Sequence, residues 1–465
     1  MNRRNFLKSI GIASTALLLN SCVSPMKKAA KRPNIIYILA DDLGWGDLSC
    51  YGQSKFETPN IDRLAAEGMK FTRHYSGSTV CAPSRCSLMT GLHTGHTVVR
   101  GNKEIEPEGQ SPMPADTVTI PRLLKTAGYR TGMFGKWGLG APGSASDPAE
   151  HFDEFYGYNC QRQSHTFYPD HLWHNRDKIE LDGKTYSHDL IMEAAKNFIR
   201  SGSSTPFFCY IPVTIPHAAM HAPKGLHDKY RKKFPQFEDK IGRYRGPEVQ
   251  NPVAAFAAMV EHLDNGAGEI LALLKELDID HNTLIIFTSD NGPHQSGGHD
   301  PVFFDSNGPL RGYKRDLYEG GIRVPMIARL PGTIKPGSLT DHISAFWDVM
   351  PTLCQIADID TPGDTDGISF LPTLLGSKQQ PRHKYLYWEF HERGGKQAVC
   401  MGRWKAIRLD VNKNPDSPIE LYDLEADLGE ENNIADNHPD IVAKMSEIMK
   451  TARTYNADWQ LFKKQ

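Results

Sequence analysis

Short apolar runs alternate with segments of helical periodicity along the first three quarters of the chain. The almost continuously apolar runs at 34–40, 207–213 and 283–289 are typical of strands buried on both faces of a parallel sheet, and a further strand is predicted at 129–136. Helices are predicted at 58–68, 120–127 and about 253–277. Strands that alternate with helices predict an α/β domain with a doubly wound sheet sandwiched by helices.

The pattern changes beyond about residue 370. Strand-like segments at 385–390, 397–401, 404–409 and 419–424 follow one another with only short turns, which indicates an antiparallel meander. Ile441, Met445, Ile448 and Met449 share one face of a closing helix. We therefore predict a large α/β domain at 33–369 and a C-terminal subdomain of antiparallel sheet and helix at 370–465.

The first 22 residues have the pattern of an export signal, with Arg3 and Arg4 ahead of an apolar stretch. The segment 3–8 resembles a twin-arginine signal, and the segment ending at Cys22 resembles a bacterial lipoprotein cleavage box. An ordinary secretory signal is the alternative interpretation. We expect export in a bacterium, either to the periplasm or as an outer-membrane lipoprotein with a lipid anchor at Cys22, and export machinery as a partner.

Composition narrows the function classes. The 53 basic and 55 acidic residues give a formal net charge of -2, so no global field attracts nucleic acid, and nucleic acid is not expected as a partner. Beyond the N-terminus, no apolar run approaches the about 20 residues of a membrane-spanning helix. Most of the 8 cysteines are scattered without the spacing of a disulfide framework, and Cys81 alone lies in a motif with chemistry.

Two of the predicted strands end in pairs of oxygen-bearing side chains. Asp41 and Asp42 follow the run at 34–40, and Asp290 and Asn291 follow the run at 283–289. If the strands are neighbours, the four side chains converge at the carboxyl edge of the sheet, and their carboxylates would repel one another without a cation. Oxygen-only ligation favours a hard ion, and Ca²⁺ suits such a site better than Mg²⁺. The alternative is that each pair only caps the turn that follows it.

A short motif supplies the nucleophile. Cys81-Ala-Pro-Ser-Arg85, followed by Leu88 and Thr90-Gly91, resembles the signature of the formylglycine-dependent sulfatases, which belong to the alkaline phosphatase superfamily. Further matches follow in family order at 40–47, 58–62, 135–137, 216–217, 289–292, 310–314 and 318–321. The resemblance implies an alkaline-phosphatase-like fold, hydrolysis of sulfuric esters and a formylglycine-generating maturase as a partner.

The family chemistry explains why a cysteine is converted to formylglycine (3-oxoalanine). A thiol that attacked sulfur would leave a stable adduct, whereas one hydroxyl of an aldehyde hydrate attacks and the other collapses to release sulfate. By resemblance, Asp41, Asp42, Asp290 and Asn291 hold Ca²⁺. Arg85 stabilises the hydrated aldehyde, Lys136 and Lys314 bind sulfate oxygens, and His217 binds sulfate or protonates the leaving oxygen. Taken singly, Cys81 could be a buried free thiol and the lysines ordinary solvated side chains.

The chain departs from the family at one position. The family usually has histidine two residues after the lysine, but here the run is Lys136-Trp137-Gly138, so the usual base for sulfate elimination is missing. Glycine cannot transfer a proton. This proton transfer must pass to another group or to water, and the sequence offers four candidates without ranking them: His93, His96, His165 and His221.

By family analogy, the expected substrate is a sulfated galactose or N-acetylgalactosamine unit of an extracellular glycan. An insertion rich in hydrogen-bond donors and a strand end with an aromatic plane at Trp388 are candidate sugar-binding regions. The candidate substrate-binding residues in them are Arg162, His165, His171, His174, His391 and Arg393. The strand end could instead be a contact between subdomains. Two other functions remain open: a phosphate or phosphonate ester hydrolase of the same superfamily, and a catalytically inactive glycan-binding homologue.

Overall fold

The computed structural model describes residues 32–202 and 205–462. The predicted export signal at 1–22, with Cys22, lies outside the described residues. None of the helices in the described ranges combines the length and the apolar character that a membrane span requires.

Most strands belong to one large sheet, and the others form a C-terminal sheet and a short hairpin. Within the described residues they are β1 (Asn34–Ala40), β2 (Met69–Tyr75), β3 (Arg130–Lys136), β4 (Glu154–Tyr158), β5 (His171–His174), β6 (Asp177–Glu180), β7 (Phe207–Pro212), β8 (Ile241–Gly242), β9 (Val249–Gln250), β10 (Thr283–Ser289), β11 (Arg323–Arg329), β12 (Ser338–Thr340), β13 (Ser344–Ala345), β14 (Leu386–Phe390), β15 (Lys396–Met401), β16 (Trp404–Leu409) and β17 (Ile419–Asp423).

The helices lie on the faces of the sheets and in the loops at the strand ends. Over the same residues they are α1 (Pro59–Ala66), α2 (Cys81–Thr90), α3 (Ile120–Thr126), α4 (Pro148–His151), α5 (Ser187–Arg200), α6 (Lys224–Lys233), α7 (Pro252–Glu276), α8 (Pro301–Phe304), α9 (Glu319–Ile322), α10 (Val349–Ala357), α11 (Leu371–Leu374) and α12 (Pro439–Thr451). The predicted long helix is α7, and the predicted strands at 34–40, 207–213 and 283–289 are β1, β7 and β10.

The large sheet has 11 strands and mixed pairing. Its centre, in the order β10-β1-β7-β3-β4, is parallel, while β11 joins β10 and β2 in antiparallel pairs on one side and β5 and β6 add antiparallel strands on the other. A parallel centre needs crossover connections, and helices supply them. The predicted α/β class is confirmed.

Alternate residues of β1 enter two different cores. Ile36 and Ile38 pack with the layer that contains α1, α5 and α7, whereas Ile35, Tyr37 and Leu39 pack with the layer of α2, α3 and α10. All seven residues of β1 are buried, as a strand with helices on both faces requires. Helices therefore sandwich the sheet.

The C-terminal sheet is antiparallel, in the order β14-β15-β16-β17. One of its faces packs against Met445 and Met449 of α12, and the other contributes Trp388 to a core shared with Tyr75 and Trp347. The predicted meander and closing helix are confirmed. Trp388 is fully buried and its indole nitrogen donates to the Ser76 carbonyl at 3.0 Å, so this ring is not available as a plane for a sugar.

A buried carboxylate ties this sheet to the rest of the chain. Glu389 of β14 accepts hydrogen bonds from Arg100 at 2.9 Å, Arg453 at 2.7 Å and Tyr387 at 2.9 Å, and its carboxylate lies 2.9 Å from His391. Burial alone would raise the pKa of Glu389, but the hydrogen bonds and charges of His391 and Arg453 lower it to about 2. The carboxylate is therefore stabilised in its ionised form.

This interaction predicts a pH dependence of stability. Because the pKa of Glu389 is lower in the folded chain than in the unfolded one, its contribution is complete above about pH 4.5 and is lost as the pH falls to about 2. The contribution is about 3 kcal/mol from the size of the shift. We expect Glu389→Gln to lower the free energy of unfolding by about 3 kcal/mol at pH 7 and to flatten its dependence between these pH values. Urea denaturation at a series of pH values measures both.

The matched control is Glu431→Gln, which alters an exposed carboxylate. Its pH profile should parallel that of the parent chain. Parallel profiles for Glu389→Gln and the parent would contradict the role assigned to Glu389.

Candidate active site

The carboxyl ends of β1 and β10 lie side by side. The two strands are parallel and in register up to the pair Ala40 and Ser289, so the residues that follow each strand emerge together. The Asp42 backbone N–H donates to Asp290 Oδ1 at 3.1 Å, and Asn291 Nδ2 donates to Asp42 Oδ1 at 2.7 Å. The two pairs of oxygen-bearing side chains thus meet at one edge of the sheet, in the arrangement that the sequence predicts.

Cys81 is the first residue of α2 and lies buried against this edge. Its Sγ is 3.4 Å from Asp41 Oδ1 and 3.6 Å from Lys314 Nζ. Burial raises the pKa of the Cys81 thiol to about 12, and the charge of Asp41 adds to the increase. The side chain as encoded is a neutral thiol held at the centre of the site.

Arg85 lies one turn further along α2 and crosses the site. Its Nε and Nη2 donate to Asp290 Oδ2 at 3.1 and 2.9 Å, and its Nη1 donates to the Lys136 carbonyl at 2.5 Å. The guanidinium is buried, so these bonds replace its hydration. Arg85 therefore fixes the start of α2 against the ends of β3 and β10.

Two buried lysines bring positive charge to the same point. Lys136 Nζ lies 2.6 Å from Asp41 Oδ2, and Lys314 Nζ lies 2.7 Å from Asp42 Oδ1. Burial alone would raise the pKa of Asp41, but the charges of Lys136 and of its other cationic neighbours hold this pKa well below its usual range. Burial favours the neutral form of Lys314, yet the charge of Asp42 raises the pKa of this lysine.

His217 completes the group. Its Nε2 is 3.3 Å from Asp42 Oδ2, and its Nδ1 faces the Ala218 carbonyl. Burial lowers the pKa of His217 well below its ordinary value, and the charge of Lys314 lowers it further. Burial and the charge of Lys314 thus favour the neutral imidazole when no anion is bound.

The oxygen-rich edge has the chemistry of a site for a hard divalent cation. Ligand atoms of Asp41, Asp42, Cys81 and His217 all lie within 4.8 Å of one another. Among the residues that the structure describes, the buried Asn291 Oδ1 has no hydrogen-bond partner, whereas a buried amide oxygen normally has one. Asp41, Asp42 and Asp290 offer three carboxylates, and Asn291 offers one amide oxygen. This donor set suits Ca²⁺.

The predicted substrate-binding residues are spread over four places. Arg162 pairs with Glu106 at 2.6 Å, and His171 lies 2.9 Å from Glu108; both line a pocket of about 460 Å³. His174 is exposed in β5. His391 contacts Glu389 and Arg393 is exposed, both at the end of β14. His165 lies apart from these residues, against His217.

Sequence reasoning missed two side chains near the site. The His294 ring centroid is 5.7 Å from that of His217, and its Nε2 lies 3.2 Å from the Pro216 carbonyl. A histidine so soon after Asp290-Asn291 was a usable signal. Gln161 packs against Gly138, and no local pattern marks a single glutamine in a loop.

Comparison with known proteins agrees with this geometry. The family model described as Sulfatase matches residues 33–359, and the model described as N-sulphoglucosamine sulphohydrolase, C-terminal, matches residues 312–455. The N-acetylgalactosamine-6-O-sulfatase of Bacteroides thetaiotaomicron is 30% identical over 538 residues, covering 97% of this chain and 100% of that protein. The N-acetylgalactosamine-6-sulfatase of Canis lupus familiaris is 33% identical over 410 residues, covering 81% of this chain and 72% of the relative.

A solved structure extends the likeness to the fold. The crystal structure of Ps i-CgsB in complex with k-i-k-neocarrahexaose matches with a TM-score of 0.77 and 27% identity, covering 93% of this chain and 94% of that one.

The cation site leads to a prediction that needs no catalysis. We expect Ca²⁺ to raise the melting temperature of chelator-treated protein, because an ion that binds only the native state stabilises it by about 2.7 kcal/mol at a hundred times its dissociation constant. In Asp42→Asn, which removes one carboxylate, most of this rise should disappear. Differential scanning calorimetry with and without Ca²⁺ measures the change within each variant, so baseline stability cancels.

Asp177→Asn is the matched control, since Asp177 is exposed in β6. It should keep the full response to Ca²⁺. An equal rise in Asp42→Asn, or a larger rise with Zn²⁺ than with Ca²⁺, would overturn the assignment.

Proposed function

The chain belongs to the sulfatase family, and we propose that it hydrolyses a sulfate ester on a galactose or N-acetylgalactosamine unit of an extracellular glycan. In this proposal the nucleophile is a formylglycine formed from Cys81, and the cofactor is a bound Ca²⁺. One observation carries the proposal. Cys81, Lys136, Lys314 and His217 converge on the oxygen-rich ends of β1 and β10. The relatives named N-acetylgalactosamine-6-sulfatases support the choice of sugar.

The residues around Cys81 suit a tetrahedral anion such as a sulfate ester. Lys136 and Lys314 are buried, so their charges act in a low dielectric and attract sulfate oxygens strongly. The two ammonium groups approach from different parts of the chain, because Lys136 closes β3 and Lys314 lies in the loop before α9. They can therefore hold different oxygens and orient the sulfur toward the side chain of residue 81.

His217 is the candidate proton donor to the leaving alcohol. Its Nδ1 faces a backbone carbonyl, which favours a proton on Nδ1, so Nε2 can donate a proton only from the imidazolium form, which the negative charge of a bound sulfate ester would favour. Arg85 has a positioning role, because its bonds to Asp290 and to the Lys136 carbonyl fix both the nucleophile helix and one sulfate-binding lysine. Each group is held by two contacts, as preorganised catalysis requires.

Two groups complete the proposed chemistry. Formylglycine at position 81 supplies a hydrated aldehyde, one hydroxyl of which can attack sulfur while the other allows sulfate to be released afterwards. Asp41, Asp42, Asp290 and Asn291 would hold Ca²⁺, whose positive charge would favour the ionised form of the attacking hydroxyl. The intact set of charged side chains argues against an inactive glycan-binding protein, since binding alone needs no buried nucleophile position.

The sugar part of the proposal is supported by a pocket that is lined in part by the segment carrying His165. The pocket of about 460 Å³ is lined by Arg162, His171, Tyr168 and other polar side chains that can bond to hydroxyl groups. Export to the periplasm or to the outer membrane fits a polymeric substrate outside the cytoplasm. A maturase would convert Cys81 before export. The basic and then apolar N-terminal sequence supports this location.

The nucleophile can be tested by mass and activity together. We expect protein made with a formylglycine-generating enzyme to carry an aldehyde in the tryptic peptide 74–85 and to hydrolyse sulfate esters, because the thiol itself releases sulfate poorly. Cys81→Ala should lose at least about 1000-fold in kcat/KM. Cys86→Ala, which alters the other cysteine of α2, should stay active. Full turnover by protein whose peptide still holds a thiol would contradict the proposal.

The substrate can be tested by comparing esters. We expect kcat/KM to be higher for a sulfated galactose or N-acetylgalactosamine than for an aryl sulfate. Arg162→Ala should raise KM for the sugar about tenfold, the effect of losing one charged hydrogen bond, and leave the aryl ester unaffected. Arg403→Ala, in the C-terminal sheet, serves as the control. A specificity constant that stays highest for the aryl ester would refute the glycan assignment.

A further inference from the structure

The end of β3 has no room for the histidine that Gly138 replaces. Gly138 has φ +77°, and a Cβ at this position would lie 2.8 Å from Gln161 Nε2 and 3.0 Å from Gln161 Cγ. Gln161 is buried, so its side chain fills the space beside Gly138. An amide does not accept a proton at neutral pH, and a base for sulfate release must therefore lie elsewhere.

Two of the four candidate histidines lie far from Cys81. His93 and His96 follow α2, whose ten residues span about 15 Å from Cys81 at its other end. His96 Nδ1 lies 2.9 Å from Asp366 Oδ1, and Gly95 N–H donates to His93 Nδ1 at 3.1 Å. These rings support the turn after α2.

His221 belongs to another environment. Its ring packs against Phe167 and Tyr168, with centroids 6.1 Å away in both cases, and its Nε2 lies 3.5 Å from the Pro247 carbonyl. The ring is a packing element between the segment before α5 and the loop before β9.

His165 alone among the four reaches the site. Its ring lies parallel to that of His217, with centroids 4.4 Å apart and an angle of 4° between the planes. Tyr244 packs edge-on against both rings, at 5.4 and 5.8 Å. Because His217 Nε2 is 3.3 Å from Asp42, one stacking contact connects His165 to the charged centre.

The segment that carries His165 also carries Gln161. Its backbone continues β4 alongside β3: Trp137 N–H donates to the Tyr158 carbonyl and Gly138 N–H donates to the Asn159 carbonyl. A turn of 3-10 helix at Gln163–His165 then directs the chain back toward His217. The segment 161–165 therefore fills the space beside Gly138 with Gln161 and brings the imidazole of His165 to the site.

The His165 ring has a free nitrogen for chemistry. Within the described residues neither ring nitrogen makes a hydrogen bond; Nδ1 is buried without a partner, and Nε2 is the more accessible atom. Burial lowers the pKa of His165 well below its ordinary value, and the charges of His217, Lys136 and Lys314 lower it further. A neutral imidazole has a lone pair that can accept a proton.

We propose that His165 is the catalytic proton acceptor in sulfate release, the role left open by Gly138. This inference rests on the proposed function. As sulfate leaves residue 81, the remaining hydroxyl gives its proton to Nε2 of His165, and the electrons of its O–H bond form the carbonyl bond of the restored aldehyde. The carbon–oxygen bond to sulfate breaks with its electron pair on sulfate. Water then takes the proton from the ring.

The test separates the two halves of the reaction. In the His165→Gln variant whose Cys81 has been converted to formylglycine, the first equivalent of alcohol product should appear at the parent rate. Steady-state turnover should then fall about 100-fold or more, which is the usual contribution of a general base. With a substrate radiolabelled at sulfur, about one equivalent of label should stay bound to the variant protein, and added imidazole should release it. The parent enzyme should retain no label.

His165→Asn is a second variant, and His96→Gln is the matched control with unchanged kinetics and no retained label. Thermal unfolding of all three is measured first, and imidazole rescue in either His165 variant identifies a chemical defect rather than a folding defect. Near-parent turnover in both His165 variants would overturn the inference. Equal slowing of alcohol release without retained label would also overturn it, because that result assigns His165 to positioning His217. A parent enzyme inactive on every sulfate ester would instead reject the proposed function itself.

Discussion

The repulsion among the carboxylates of Asp41, Asp42 and Asp290 governs the arrangement of everything around them. All three are buried at the ends of two adjacent parallel strands, where their charges are only weakly screened. Arg85, Lys136 and Lys314 supply three positive charges from three other parts of the chain. The same positive groups that offset this repulsion can bind a sulfate group, so the charge balance that the buried carboxylates require also prepares the site.

The large sheet holds these closely spaced charges in fixed positions. In-register pairing of β1 with β10 holds the carboxylates in place through backbone bonds that burial protects. Helix α2 places Cys81 against them, and the bonds of Arg85 fix the direction of that helix. Buried ion pairs contribute little net stability, but the loss of either partner is costly. The site is therefore sensitive to single changes and well defined in geometry.

The C-terminal sheet is connected to the site by buried ion pairs. Lys405 of β16 lies 2.7 Å from Glu319, at the start of α9, and the loop before α9 carries Lys314. Glu319 and Lys405 are both fully buried, and the charges of Lys405 and Arg323 outweigh the effect of burial and lower the pKa of Glu319 to about 2. A second buried carboxylate, Glu389, links β14 to Arg100 beyond α2. Ionic contacts thus join this sheet to the two segments that carry Cys81 and Lys314.

The sequence by itself determined the features that depend on short-range pattern. Apolar periodicity located β1, β10 and α7 within a residue or two, and the motif from Cys81 to Arg85 identified the chemistry, because both signals are local. Only the tertiary structure decided which groups meet across long separations. It placed His165 on His217 and Gln161 in the space beside Gly138, and it buried Trp388 between the two sheets. The physical reason is that side-chain direction and burial follow from how distant segments pack, and no periodicity along the chain encodes that packing.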